Sequence, residues 1–387
     1  MPKHRIAYAK SNTYDDAAVA AALAESLALV GGWSAHLPAA PARVLVKPNM
    51  LANFAPEEVV TTHPAVLRAV LTSLLEAGYT PFVGDSPAGS TRKVETVWKK
   101  TGIGAVCEEL GVELVSFEAA GHRTLRGRNR FARSLHIANP VLDADAVVNL
   151  PKLKTHSLTV FTCAVKNLFG YVPGMRKMML HGKALNPRDF AEIITDVYRL
   201  RPPNLNIVDG IIAMQGDGPS GGSPYPFERI IVGSNAPALD HSLASRIGIP
   251  AERMPVERVC LRRGYFRIDE IEELGDVPEV KQDYEIPGNS WVALIPGPFG
   301  RYVAEQIRTF PVIEQKDCIR CGACARACPH ATIPLEDGEY HIDHAACISC
   351  LCCHEVCPVQ AIELSGSWPI QIYNGIKKLK RLFKKTT

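Results

Sequence analysis

Up to about residue 310 the chain alternates unbroken apolar runs of strand length with longer runs of helical period. VLVKPNM (44–50), PFVGD (81–85), VELVSF (112–117), DAVVNL (145–150), NLNIVDG (204–210) and RIIVGS (229–234) read as strands. Asp15 and Asp16 precede an apolar-periodic run to Val30 that stops at Gly31-Gly32, the signature of a capped helix. A second helix, over 64–77, starts at Pro64 and stops at Gly78, so 44–85 forms a βαβ unit. Further helices are expected over roughly 92–110, 158–169, 189–200 and 236–247, and a polar, arginine-rich hairpin over 122–138. Strands that are apolar throughout, rather than alternating, belong to a mostly parallel sheet covered by helices on both faces. The fold class is therefore α/β, with the α/β domain spanning 1–310; Pro and Gly interrupt 250–310 too often for assignment.

The pattern breaks near residue 311. A compact module covers 311–365, and a basic amphipathic tail, 366–387, carries six Lys/Arg with apolar residues at helical spacing. Nine of the twelve cysteines fall between Cys318 and Cys357. The N-terminus has no apolar h-region and no run approaches 18 apolar residues, so a cytoplasmic protein without a spanning helix is expected. There, dense cysteine means metal ligation rather than disulfides.

Cys318, Cys321, Cys324 and Cys328-Pro329 follow the C-x2-C-x2-C-x3-C-P spacing, and Cys347, Cys350, Cys353 and Cys357-Pro358 repeat it. In this bacterial ferredoxin run the fourth cysteine of each set ligates the other cluster. Two 4Fe–4S clusters are expected, one on Cys318, Cys321, Cys324 and Cys357, the other on Cys347, Cys350, Cys353 and Cys328. A pair of zinc knuckles would need only two C-x2-C pairs each. Each oxidised cube with four thiolates carries a net −2, which takes the formal charge of +3 to about −1. That leaves no argument for nucleic acid. Paired adjacent clusters form an electron relay, which calls for a ferredoxin or another low-potential donor. The tail is a candidate for peripheral membrane contact or for docking that donor.

In open parallel sheets ligands bind beyond the carboxyl ends of the strands. Lys47 and Asn49, Asp85 and Ser86, and Asn149 with Lys152, Lys154 and His156 all follow strands; Lys166 and Asn167 follow on the next predicted helix. These are candidates for one pocket that takes a small anionic or carbonyl-rich substrate. His156, Lys154 and Lys166 are the candidate catalytic residues, with His156 or a lysine as proton donor and lysines stabilising negative charge. His181 follows VPGMRKMM as a candidate lid residue, and Gly216 and Gly218 lie in GDGPSG (216–221) as candidate pocket lining. That stretch formally matches G-x-G-x-x-G, but Pro219 and the GGSPYPF that follows cannot open the required helix. Cys107, Cys163 and Cys260 read as structural, His63 as a helix cap, and Asp209 and Asp240 as caps or metal ligands.

Taken together, VLVKPNM, THPAVLRAV, GDSP (84–87), NLPKLKTH, KNLFG (166–170), GDGPSGG (216–222) and NAPALDHSLASRIG (235–248) resemble the iron–sulfur proteins of the domain of unknown function 362 family. Many members carry the same appended ferredoxin module. The resemblance covers roughly 40–250 and 311–364 and implies a redox protein built on an α/β domain. Gln215 and Cys163 depart from the pattern, which would place an acidic residue and a small or apolar one there. An iron–sulfur oxidoreductase is the leading expectation. An electron carrier or reductive activator, and a non-redox isomerase with structural clusters, are the alternatives.

Overall fold

The computed structural model describes residues 4–88, 94–129, 131–184, 186–287 and 309–366. The basic tail beyond Gly366 lies outside the described residues. The strands in chain order are β1 (His4–Lys10), β2 (Arg43–Pro48), β3 (Thr80–Asp85), β4 (Glu113–Ser116), β5 (His122–Arg126), β6 (Ser134–Ala138), β7 (Ala146–Leu150), β8 (Lys152–His156), β9 (Val160–Thr162), β10 (Leu205–Gln215), β11 (Ser223–Gly233) and β12 (Ile271–Gly275). The main sheet runs β12-β1-β11-β10-β7-β2-β3-β4, with β8 continuing along β10 past β7, and β9 pairing back on β8. Within this sheet, among the described residues, only β11, against β1 and β10, and the β8–β9 hairpin are antiparallel, and β5 pairs antiparallel with β6 outside it.

Strand alternation divides the apolar side chains between two layers. Val44, Val46 and Val148 pack into one core with the helices Asp16–Val30, Pro64–Glu76 and Ile103–Glu109. Leu45 and Val147 face the other core, beside Phe190, Ile194 and Leu239. The expected helix over 92–110 is two, Val94–Lys100 and Ile103–Glu109, because Gly102 turns left-handed (φ 74°) between them. The stretch Asp16–Ala35 is long and apolar enough, by length and composition alone, to cross a membrane. In the fold its helix carries Val19, Leu23 and Leu27 into the core and ends at Gly31 in a left-handed cap.

The chain over 158–169 departs most from its predicted helix. His156 Nδ1 accepts the N–H groups of Leu158 and Thr159 at 3.0 and 3.4 Å. This closes a turn that sends the chain back as β9, and only Ala164–Asn167 is α-helical. Lys152 and Lys154, expected beyond a strand end, accordingly lie in a strand of their own, β8.

In the module, β13 (Thr309–Ile313) pairs with β16 (Ile362–Gly366), and β14 (Leu335–Glu336) with β15 (Glu339–Tyr340). Its duplication extends to the backbone. Arg320, Gly322 and Ala331 take left-handed φ angles, as do Ser349, Leu351 and Gln360, each at the interval that separates Cys318 from Cys347.

Candidate functional site

Local turns position the module's thiols. The N–H groups of Arg320, Thr332, Ser349 and Ala361 donate to the sulfurs of Cys318, Cys328, Cys347 and Cys357 at 3.2–3.4 Å. Such bonds raise the potential of a cluster bound to these sulfurs. Cys328, Cys347, Cys350 and Cys353 line a single cavity. Cys318, Cys321 and Cys357 act electrostatically on the buried Cys324, which places these four together as well. Among the described residues no three Cys, His, Asp or Glu side chains close around a single metal ion. Thiols spread around a cavity, with backbone donors behind them, suit a multi-iron cube rather than a zinc knuckle. Cys352, beside ligand candidate Cys353, is buried, and its hydrogen bond with Cys350, followed by burial, pushes its thiol well above the ordinary cysteine range.

A second cavity opens where the strand ends meet the module. Its wall includes Lys47, Asn49, Asp85, Ser86, Lys154, Lys166, Asn167, Lys177, His181 and Glu355. Lys47 Nζ pairs with Asp85 at 2.8 Å and reaches Asn167 Oδ1 at 3.3 Å. Asn49 Nδ2 donates to the same oxygen at 3.1 Å. Gly170 is required here, since a Cβ would lie 2.2 Å from Asp85 Oδ1 and 2.7 Å from Lys47 Nζ. Lys154 donates to Val60 O at 2.8 Å, and Lys177 to the carbonyls of Ser86 and Pro87.

Burial lowers the pKa of every one of these lysines, that of Lys154 to about 7 with help from Lys166, and that of Lys177 to about 8. Burial likewise takes His181, whose ring lies against Phe169 and Phe190, down to about 4.

Glu355 comes from the module helix Cys352–Val356, and sequence reasoning missed it. Its carboxylate stands 3.0 Å from His156 Nε2 and is buried with it. Because Nδ1 is occupied by backbone donors, Nε2 carries the ring hydrogen and faces Glu355. Burial alone would raise the Glu355 pKa; Lys166 and His156 outweigh it and hold the carboxylate ionised. Burial and Lys166 push His156 down to about 3. His156 is thus neutral, closes a turn and does not line the cavity, so the expectation that it titrates near neutrality fails.

Four other candidates stand apart from the cavity wall. Lys152 is buried in an ion pair with Asp209 (2.9 Å) and bonded to Tyr14 (2.7 Å). The cause is an irregular register, in which β8 skips along β10 between Asp209 and Met214 and separates Lys152 from Lys154. Asn149 lies one layer behind, accepting from Asn167 Nδ2 at 2.8 Å. Gly216 N–H donates to Glu285 O, and Gly218 O accepts from Ser157. Gly218 has no room for a side chain, as a Cβ would lie 2.2 Å from Thr155 O. Their loop seats the module through Ser220 Oγ, which donates to His354 O at 3.2 Å. Asp240 caps the helix Ala164–Asn167 through two N–H groups, and His63 caps its own helix.

Comparison with known proteins agrees with this division. Residues 44–245 match the model of the domain of unknown function 362, and residues 317–361 that of a 4Fe-4S dicluster domain. The thylakoid-associated protein sll1697 of Synechocystis sp. is 34% identical over 257 residues, 66% of this chain and 78% of that one. A crystal structure of a Thermotoga maritima protein aligns with 59% of this chain and 57% of its own, at 16% identity and TM-score 0.38. The lactate racemase apoprotein of Thermoanaerobacterium thermosaccharolyticum aligns with 62% of this chain and 55% of its own, at 12% identity and TM-score 0.39. With a matching model over more than half the chain and a well-covered relative, the protein belongs to the domain of unknown function 362 family and carries a C-terminal 4Fe–4S-binding domain.

Proposed function

We propose that this protein is an iron–sulfur oxidoreductase that delivers low-potential electrons to a small anionic or carbonyl-bearing substrate in the lysine-lined cavity. The observation that carries this reading is Glu355. The helix that bears Cys353 and leads into Cys357 places a side chain in the cavity wall of the α/β domain. We assign one 4Fe–4S cluster to Cys318, Cys321, Cys324 and Cys357 and a second to Cys347, Cys350, Cys353 and Cys328. When bound, they supply one-electron reduction. Cys321 and its neighbour Ile319, 61% exposed, give a ferredoxin or similar donor its approach.

Within the cavity the ammonium groups stabilise negative charge developing on the substrate. Lys154, poised near neutrality, gives up a proton from Nζ, and Asn49 and Asn167 orient polar substrate atoms. His156 acts as a positioning residue that holds Glu355.

The test is to reduce the anaerobically purified protein with limiting dithionite and follow the cluster absorbance. One sample receives the small-molecule fraction of a cell extract, the other the macromolecular fraction. Reoxidation by small molecules alone is expected. Reoxidation only by macromolecules would make the protein a carrier or activator, and reoxidation by neither would favour non-redox chemistry with structural clusters.

A further inference from the structure

We infer that the ligand of this cavity is a compact oxygen dianion, held between Lys154 and Lys177; that this ligand is also the electron acceptor rests on the oxidoreductase reading above. Four lysines line the cavity against two carboxylates, Asp85 and Glu355. Each carboxylate already has a neighbour, Asp85 the Lys47 ammonium at 2.8 Å and Glu355 the His156 ring at 3.0 Å, with Lys166 in the same wall. Lys154 and Lys177 have no carboxylate within ion-pair distance among the described residues. Their acceptors are neutral: Val60 O and Asn49 Oδ1 for one, Ser86 O and Pro87 O for the other.

Carbonyls satisfy the hydrogen bonds of an ammonium but not its charge, and an uncompensated buried cation is costly. Lys154 is 1% and Lys177 5% exposed. Two such charges in one cavity call for two negative charges. Their lowered pKa values fit this, since without a counter-ion each group sheds its proton more readily. His181, in the same wall, has its Nδ1 buried with no hydrogen-bond partner among the described residues. The size of the space limits the ligand. The cavity offers about 60 Å³, room for roughly four waters, which suits an oxyanion or a very short dicarboxylate.

Binding of oxalate, sulfate and acetate to the cluster-loaded full chain, measured anaerobically by calorimetry at pH 7, tests this without turnover. Oxalate and sulfate are expected to bind at one site per chain, at least about tenfold more tightly than acetate. Lys154→Met and Lys177→Met should each weaken oxalate about tenfold or more. Both should keep their iron, and without ligand should melt at or above the wild-type temperature, because a costly buried charge is gone. Lys154→Gln provides a second, polar replacement should methionine disturb the wall. Equal affinity for acetate and the dianions, or oxalate binding unchanged in folded, iron-loaded variants, would overturn the inference. Its failure is separable from that of the oxidoreductase reading. Reoxidation by a small neutral molecule without oxalate binding removes only the dianion, whereas oxalate binding without reoxidation by small molecules keeps the dianion and removes the reductase.

Discussion

The thiols of the module and the lysines of the cavity are held in place by opposite means. Cys318, Cys321, Cys347 and Cys350 lie partly or fully exposed, each set spaced by turns whose N–H groups support the sulfurs within a few residues. Lys47, Asn49, Asp85, Lys154 and Asn167 come from separate strand ends and are fixed by contacts across up to 120 residues of chain. The first arrangement is self-contained. The second exists only when the whole sheet and the docked module are in place, so damage should spread differently in the two.

The largest difference is expected from the ligands themselves. Cys353→Ala should remove roughly half of the iron, read by metal analysis, while the circular dichroism of the α/β domain persists. Asp85→Asn should do the reverse. It strands the fully buried Lys47 and should cost about 3–5 kcal/mol in urea unfolding, with the cluster absorbance intact until the sheet melts.

Lys154→Met sharpens the comparison through pH. Burial lowers this lysine from the ordinary 10.5 to about 7, so between those values the unfolded chain binds more protons and stability rises with pH. The penalty is complete below pH 7 and absent above about 10.5. The variant should therefore gain about 1–3 kcal/mol at pH 7, and the gain should shrink towards pH 10; a constant gain would contradict the assigned burial. At the seam between the regions, His156→Ala should cost about 1–3 kcal/mol, because it removes both the acceptor that closes the turn before β9 and the partner of Glu355. The smallest effect, under about 1 kcal/mol, is expected for Ser220→Ala, read as faster proteolysis between the domains.

The same contrast explains what the sequence discloses. The cysteine set is legible because its geometry is encoded within a few residues of each ligand, down to the repeated left-handed turns. The parallel sheet is legible from its apolar strands. The cavity is only partly so: Lys47, Asp85, Lys154 and Asn167 converge as strand ends should, yet Lys152 turns to Asp209 because of a register break that no local pattern records. His156 looks catalytic by residue type, although burial and its bonds to Leu158 and Thr159 make it a neutral turn-former. Glu355 is hidden among ligand cysteines, and only the docking of two domains reveals it. A charged residue on the short helix between Cys353 and Cys357 is the signal that was there to find.

Whether electrons from the module reach a molecule in the cavity is decided by one comparison. Wild type and Lys154→Met, matched in iron content and reduced by limiting dithionite, are mixed with the same small-molecule extract, and the return of cluster absorbance is timed. Rapid reoxidation of the wild type and a slowing of roughly 100-fold or more in the variant are expected. Equal rates in the two proteins would show that the electrons leave by another route and that the cavity is not their destination.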